Sequence, residues 1–141
     1  MTPTEIALVR EGFERIAPDA ENVGLAFYQR LFALDPSLRP MFADDLRPQV
    51  GHLMTALTMV VRSLDDLGPV LGQVKLLGSR HGGYGVKPEH FGTVGAALLG
   101  TLEAGLGDGF TADARAAWTA AYTTLAGAMI ASMAEDSAAS A

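Results

Sequence analysis

The sequence predicts an all-α domain of about six to eight helices around one core, and three observations carry this prediction. Apolar residues recur three and four positions apart along most of the chain, which is the period of an amphipathic helix. No stretch alternates apolar and polar residues as a half-buried strand would. Capping residues and prolines stand where helices would begin, and a glycine-rich stretch stands where one of them would end.

The first two helices and a short third one are marked by their first residues. Thr2 is a capping residue, Pro3 suits the first helical position and Glu5 completes a capping box. Asp19 can cap the second helix, and "DPSLRPMF" indicates a cap, a proline and a short helical turn that ends at Phe42. The apolar stripes of the two long helices are Ile6, Val9, Phe13 and Ile16, and then Val23, Phe27, Tyr28, Leu31 and Phe32.

Four further helices are predicted after the loop "ADDLRP". Their apolar stripes are Val50, Leu53, Leu57, Val60, Val61 and Leu64 over about 48–63; Val70, Val74, Leu77 and His81 over about 69–82; Phe91, Val94, Leu98 and Leu102 from Pro88; and Ala114, Trp118, Tyr122, Leu125 and Met129 after a Thr111 cap. The third of these helices ends in "GLGDG". We expect residues 1–135 to form one domain and residues 136–141 to be a disordered tail.

Composition limits the classes of function. Of the 141 residues 49% are hydrophobic and 18% charged, so one domain can bury a large core without covalent staples. The absence of cysteine excludes disulfide frameworks, thiolate zinc sites and cysteine nucleophiles. The net charge is −6 and the ten Lys and Arg residues are dispersed, which argues against binding nucleic acid.

The N-terminal stretch "MTPTEIALVREGF" contains acidic residues and no uninterrupted apolar region, so it does not resemble a signal peptide. No run approaches the roughly 18 apolar residues of a membrane span. We therefore expect a cytoplasmic protein that does not contact membranes and that is a monomer or a weak dimer.

Four residues carry chemistry that a plain helical core does not need. His81 ends an apolar stripe, where a lone histidine is most often a core residue with locally satisfied nitrogens. Tyr28 places a hydroxyl on an inward stripe, where it needs a buried partner. Gln49 lies one turn before Leu53 on the same helix face, and Phe42 places a ring at a corner. Each also has an ordinary explanation: a carbonyl partner for Tyr28, an exposed helix start for Gln49, and simple packing for Phe42.

Taken together, these residues resemble the globin family. The stretches "GLAFYQRLFALDPSLRPMF", "LLGSRHGGYGVKPEHFGTVG" and "GDGFTADARAAWTAAY" are similar to single-domain bacterial globins, to the haem domain of flavohaemoglobins and to neuroglobin-like globins. The resemblance extends from the first helix to about Glu135. It implies a globin fold whose helices surround a pocket for haem b, iron protoporphyrin IX.

The resemblance implies how the haem is held. His81 would bind the iron through Nε2, because neutral imidazole is a good donor that leaves the opposite face free. Its Nδ1–H would donate to the backbone carbonyl of Leu77 and so fix the ring angle. Phe42 would lie flat against the porphyrin. The edge and floor of the pocket would be lined by Val86, Phe91 and Val94.

The resemblance also implies a distal pair, Tyr28 and Gln49, with Leu53 as the apolar wall beside the gas. His52 competes with Gln49 for the distal position, but it would put Ala56 at the wall and leave a gap, whereas Gln49 matches the family. His52 would then lie near the haem edge, facing a propionate or solvent. The alternative is that His52 enters the pocket as a sixth iron ligand.

The distal pair implies tight, reversible binding of O₂, with NO and CO as further ligands. A phenol that donates to polarised O₂ makes a charge-assisted hydrogen bond worth roughly 1.5–3 kcal/mol. Such a bond slows the escape of O₂ by about ten- to a hundredfold. Slow escape suits NO dioxygenation to nitrate better than short-range oxygen transport, although the sequence leaves open whether the protein is an enzyme.

Two departures from flavohaemoglobins bear on the activity. No reductase domain follows, so we expect a separate reductase to supply electrons. The tyrosine and glutamate that hold the proximal histidine in flavohaemoglobins correspond to Phe91 and Met133, which disfavours peroxidase-like O–O cleavage and leaves O₂ binding intact.

Two other classes of function stay open. One is a haem-based gas or redox sensor that acts through a partner protein. The other is a helical interaction protein without haem, in which Tyr28, Gln49 and His81 are unrelated core residues.

Overall fold

The structure is a computed structural model that describes residues 1–66 and 89–140. Side chains are described up to Ile130, residue 128 excepted. Within these residues there are helices and no strands, so the predicted all-α class is confirmed. In the described ranges the α-helices are α1 (Pro3–Ile16), α2 (Ala20–Leu34), α3 (Arg47–Arg62), α4 (His90–Leu106) and α5 (Ala112–Ser140), and the 3₁₀ helices are Ala17–Asp19, Pro36–Met41 and Gly107–Gly109.

The predicted cap of α1 is confirmed. The backbone N–H of Glu5 donates to the Thr2 hydroxyl over 3.2 Å, and the N–H of Thr2 donates to the Glu5 carboxylate over 3.0 Å. These reciprocal bonds satisfy two N–H groups that a helix start leaves without intrahelical partners. The Thr2 backbone N–H, and to a smaller extent the Thr2 side chain, also hold the pKa of the Glu5 carboxyl below its usual value, because they favour its ionised form.

The expected side-chain cap of α2 is not made. Asp19 is the N-cap residue, but its backbone (φ −114°, ψ 32°) lies outside the extended region from which a capping side chain reaches the first helical amides. The preceding 3₁₀ turn Ala17–Asp19 imposes this conformation. The Asp19 carboxylate instead accepts a hydrogen bond of 2.8 Å from the Asn22 side chain.

The ends of α4 and α5 agree with the sequence. Gly107 follows α4 with a φ of +56°, which explains the glycine-rich stop. The Thr111 hydroxyl accepts the N–H of Ala114 over 3.1 Å and so caps α5. The helix continues to Ser140, and the disordered tail over 136–141 stays a prediction.

The core lies where α1 packs on α5 and where α2 packs on α3 and α4. The first region holds a cluster around Trp118 that α1, α3, α4 and α5 build together. The second region holds a cluster around Tyr28, to which α2, α3 and α4 contribute. None of the helices in the described ranges combines the length and the apolar character that a membrane crossing requires.

Candidate functional site

Tyr28 of α2 lies at the centre of a group of aromatic side chains. Its side chain is 3% exposed, and its ring centroid lies 5.5 Å from that of Phe42 and 6.1 Å from that of Phe32. Burial raises the pKa of the Tyr28 phenol above its usual value, and the polar Gln49 side chain beside it opposes part of that shift. The hydroxyl is therefore protonated at neutral pH and able to donate.

The register of α3 separates the two candidates for the distal position. Gln49 and Leu53 lie one turn apart and are half-buried on the side of α3 that faces α2, whereas His52 is exposed. Leu53 packs against the cluster that contains Tyr28. Gln49, and not His52, is thus the residue that the fold brings to Tyr28. We call Tyr28, Phe32, Phe42, Gln49 and Leu53 the Tyr28 group.

Phe42 stands at the corner where the sequence places it. The 3₁₀ helix Pro36–Met41 starts at Asp35, whose carboxylate accepts the N–H of Ser37 over 3.1 Å, and it ends at Phe42 in extended backbone. The Phe42 ring lies 5.3 Å from the Phe32 ring, centroid to centroid, and stays half-buried. The short helix therefore directs the ring against α2.

The two predicted pocket residues of α4 have different neighbours. Val94 is half-buried and packs against the cluster around Tyr28. Phe91 is buried in a separate cluster with Ala126 and Met129 of α5. The described structure thus brings Val94, but not Phe91, to the Tyr28 group.

Tyr122 has a role that the sequence did not indicate beyond a place on the stripe of α5. Its hydroxyl donates to the backbone carbonyl of Phe91 over 2.6 Å, and burial raises the pKa of its phenol well above the usual value. Its ring lies against Gly95, where an added β carbon would stand 2.8 Å from the ring. In the sequence, Gly95 one turn after Phe91 could have indicated this contact, because a glycine leaves room for an aromatic ring on the facing helix.

His81, Leu77 and Val86 lie outside the described residues, and so does the side chain of Met133. The described part of the site is consequently the half formed by α2, α3 and α4.

The residues of this half fit a haem. Their partly buried side chains are apolar and come from three elements around Tyr28: Phe42, Leu46, Leu53, Met54, Val94 and Leu98. A flat, largely apolar cofactor needs such a surface, with a few polar groups placed where a bound gas would carry charge. The buried Tyr28 hydroxyl and the Gln49 amide are groups of that kind.

Two openings in the described ranges lie away from Tyr28. One is a surface groove of about 450 Å³ between α1 and Asp65, where Arg10 and Glu11 form surface ion pairs. The other is an apolar cavity of about 20 Å³ in the core beside Trp118. Neither is lined by Tyr28 or Gln49.

Comparisons with known proteins agree with the geometry. Residues 25–129 match the family model described as Globin, a range that contains Tyr28, Gln49 and His81. The chain is 30% identical over 143 residues to neuroglobin-1 of Oncorhynchus mykiss, covering 92% of this chain and 90% of that protein. It is 31% identical over 128 residues to the flavohemoprotein of Bacillus subtilis, covering 89% of this chain and 32% of that longer protein.

A solved structure has the same fold. The bacterial globin of Campylobacter jejuni superposes with a TM-score of 0.84 at 25% identity, covering 95% of this chain and 97% of that chain.

Proposed function

Since the chain belongs to the globin family, and so binds small gas molecules at a haem, we propose that Tyr28 and Gln49 hold O₂ tightly and reversibly in the pocket. The observation that supports this proposal is the buried, protonated Tyr28 hydroxyl beside the Gln49 side chain. A hydroxyl kept in an apolar site interacts more strongly with a developing negative charge than one in water.

We further propose that the cofactor is haem b and that His81 holds it through Nε2, oriented by the carbonyl of Leu77. Phe42 would pack on the cofactor, and Leu53, Val86, Phe91 and Val94 would line the pocket. The haem, when bound, supplies the ferrous iron at which the gas binds. The Tyr28 group then supplies the polarity and the shape of the space beside that iron.

The distal residues of this chain determine how long O₂ stays. The Tyr28 phenol donates a hydrogen bond to the electron-rich gas, and Gln49 keeps the phenol directed into the pocket. A charge-assisted bond of roughly 1.5–3 kcal/mol corresponds to an escape rate lower by about ten- to a hundredfold. Leu53 limits the space in which the gas can move.

Slow release of O₂ supports NO dioxygenation as the activity. The net reaction joins O₂, NO and one electron to give nitrate, so atoms and charge balance when a reductase returns the electron. We propose a separate reductase in the cytoplasm as that source, and a globin that acts as a monomer or a weak dimer. Phe91 contributes an apolar ring rather than a phenol, which disfavours peroxide cleavage.

Absorption spectra of the purified protein in its ferric, ferrous and CO-bound forms test the proposal. We expect an intense Soret band that shifts on reduction and on binding CO, and a His81→Ala variant that binds haem weakly or with altered coordination. If reconstituted protein has no Soret band, the chain is a helical interaction protein without haem. If it binds gas but does not form nitrate from NO, the sensor alternative replaces the enzyme.

A further inference from the structure

Arg39 bonds to three consecutive backbone carbonyls. Its Nη1 donates to the carbonyl oxygen of Phe42 over 3.2 Å and to that of Ala43 over 3.0 Å, and its Nη2 donates to that of Asp44 over 3.2 Å. These three residues follow the 3₁₀ helix Pro36–Met41, so their carbonyls are not part of a helical hydrogen-bond ladder. One side chain therefore fixes the path of residues 42–44.

Arg39 also contacts the aromatic rings. The centre of its guanidinium lies 5.2 Å from the centroid of the Phe32 ring, within the range of a cation–π interaction. Phe32 in turn contacts Phe42 at 5.3 Å and Tyr28 at 6.1 Å, centroid to centroid. Arg39 thus acts on Phe42 from two sides, through its backbone carbonyl and through a ring that packs against it.

These contacts depend on the shape of the guanidinium. A planar fork with several N–H groups can reach three carbonyls and stack on a ring at the same time, whereas the ammonium of lysine is a single point charge. Arg39 is half-buried, and its bond to the Phe42 carbonyl is partly shielded from water, whereas the bonds to Ala43 and Asp44 are exposed. A lysine at this position would keep the charge and lose most of the geometry.

We propose that Arg39 is a positioning residue of the haem pocket, which holds the Phe42 ring against the cofactor and keeps the Tyr28 group in place for the gas. This inference rests on the proposed function, because Phe42 acts on a haem only if one is bound. In this proposal, the 3₁₀ helix Pro36–Met41 and Phe42 at its end control how long the protein retains its haem.

The test compares Arg39→Met and Arg39→Lys with the full-length wild type and with the control Arg15→Lys, which alters an exposed ion pair with Glu11. The first measurement is the rate at which haem moves from the holoprotein to an excess of a second haem-binding protein. We expect this rate to rise at least tenfold in Arg39→Met, to rise less in Arg39→Lys, and to stay within twofold of wild type in the control.

The second measurement is backbone hydrogen exchange in the peptide that contains residues 42–44. We expect faster exchange there in both Arg39 variants and unchanged exchange in α5. A purely structural arginine would lower the melting temperature without changing haem loss from the folded protein. Wild type that binds no haem would overturn the proposed function, whereas normal haem loss and local exchange in both Arg39 variants would overturn this inference alone.

Discussion

Gly24 of α2 lies directly against the side chain of Val50 on α3. A β carbon on Gly24 would clash with Cγ1 of Val50 and stand 3.1 Å from its Cγ2. Gly24 precedes Tyr28 by one helical turn, and Val50 follows Gln49. The close approach of the two helices at this point therefore sets the separation across which Tyr28 and Gln49 meet.

Gly24→Ala should lower the free energy of unfolding by about 1–3 kcal/mol, because overpacking at this contact pushes α2 and α3 apart. Adding Val50→Ala should recover part of the loss, since it removes the methyl groups that clash. Gly51→Ala is the matched control: nothing lies within 4 Å of its β carbon, and we expect a gain of about 0.5–1 kcal/mol. Urea denaturation measures all four proteins, and equal effects of Gly24→Ala and Gly51→Ala would refute the contact argument.

The ferrous protein without ligand should be mainly five-coordinate, because His52 is exposed on α3 whereas Gln49 and Leu53 are half-buried. The visible spectrum should show one broad band, and His52→Ala should leave it unchanged. Sharp low-spin bands that disappear in His52→Ala would show that His52 enters the pocket as a sixth ligand.

Some of this site follows from the sequence because it depends on local geometry. Helical spacing puts Gln49 and Leu53 one turn apart on one face of α3, and the capping pattern alone places Thr2. The contact of Gly24 with Val50 does not follow, since it depends on the angle at which two helices cross. The different neighbours of Phe91 and Val94 also do not follow, because α4 packs against α2 on one side and α5 on the other.

Arg39 shows the same limit at a loop. In the sequence it is one basic residue in a short helix, which is typically an exposed charge. Its acceptors are the carbonyls of residues 42–44, and these converge only because the backbone turns after Met41. A side chain that binds the carbonyls of an irregular loop is therefore recognised only in the structure.

Tyr122 should make stability depend on alkaline pH. Burial raises the pKa of its phenol in the folded protein, so the folded state keeps a proton that the unfolded state loses near pH 10. Its contribution to stability is complete below pH 10 and falls as the pH rises above it. Tyr122→Phe should cost about 1 kcal/mol at pH 7, from the lost bond to the Phe91 carbonyl, and less at pH 10.5. Urea denaturation at both values checks this, and a larger cost at pH 10.5 would reverse the sign of the argument.

The double variant Phe91→Tyr with Met133→Glu should raise peroxidase activity and lower the iron reduction potential, because a carboxylate-linked imidazole stabilises ferric iron. Phe91→Tyr alone is the control. It should be less stable than wild type, because the added hydroxyl enters the apolar cluster with Ala126 and Met129. Spectroelectrochemistry measures the potential. A folded double variant with an unchanged potential would contradict the proximal argument.

The central claim is that the Tyr28 phenol donates a hydrogen bond to O₂, and the most direct test is the O₂ dissociation rate of Tyr28→Phe measured by stopped-flow mixing. The rate should rise by about ten- to a hundredfold over wild type, while the CO dissociation rate changes much less because bound CO carries less negative charge. Tyr122→Phe, which removes a part-buried hydroxyl bonded to the Phe91 carbonyl, should leave both rates within about twofold of wild type. Equal changes for O₂ and CO in Tyr28→Phe would contradict the claim and give Tyr28 a purely steric role.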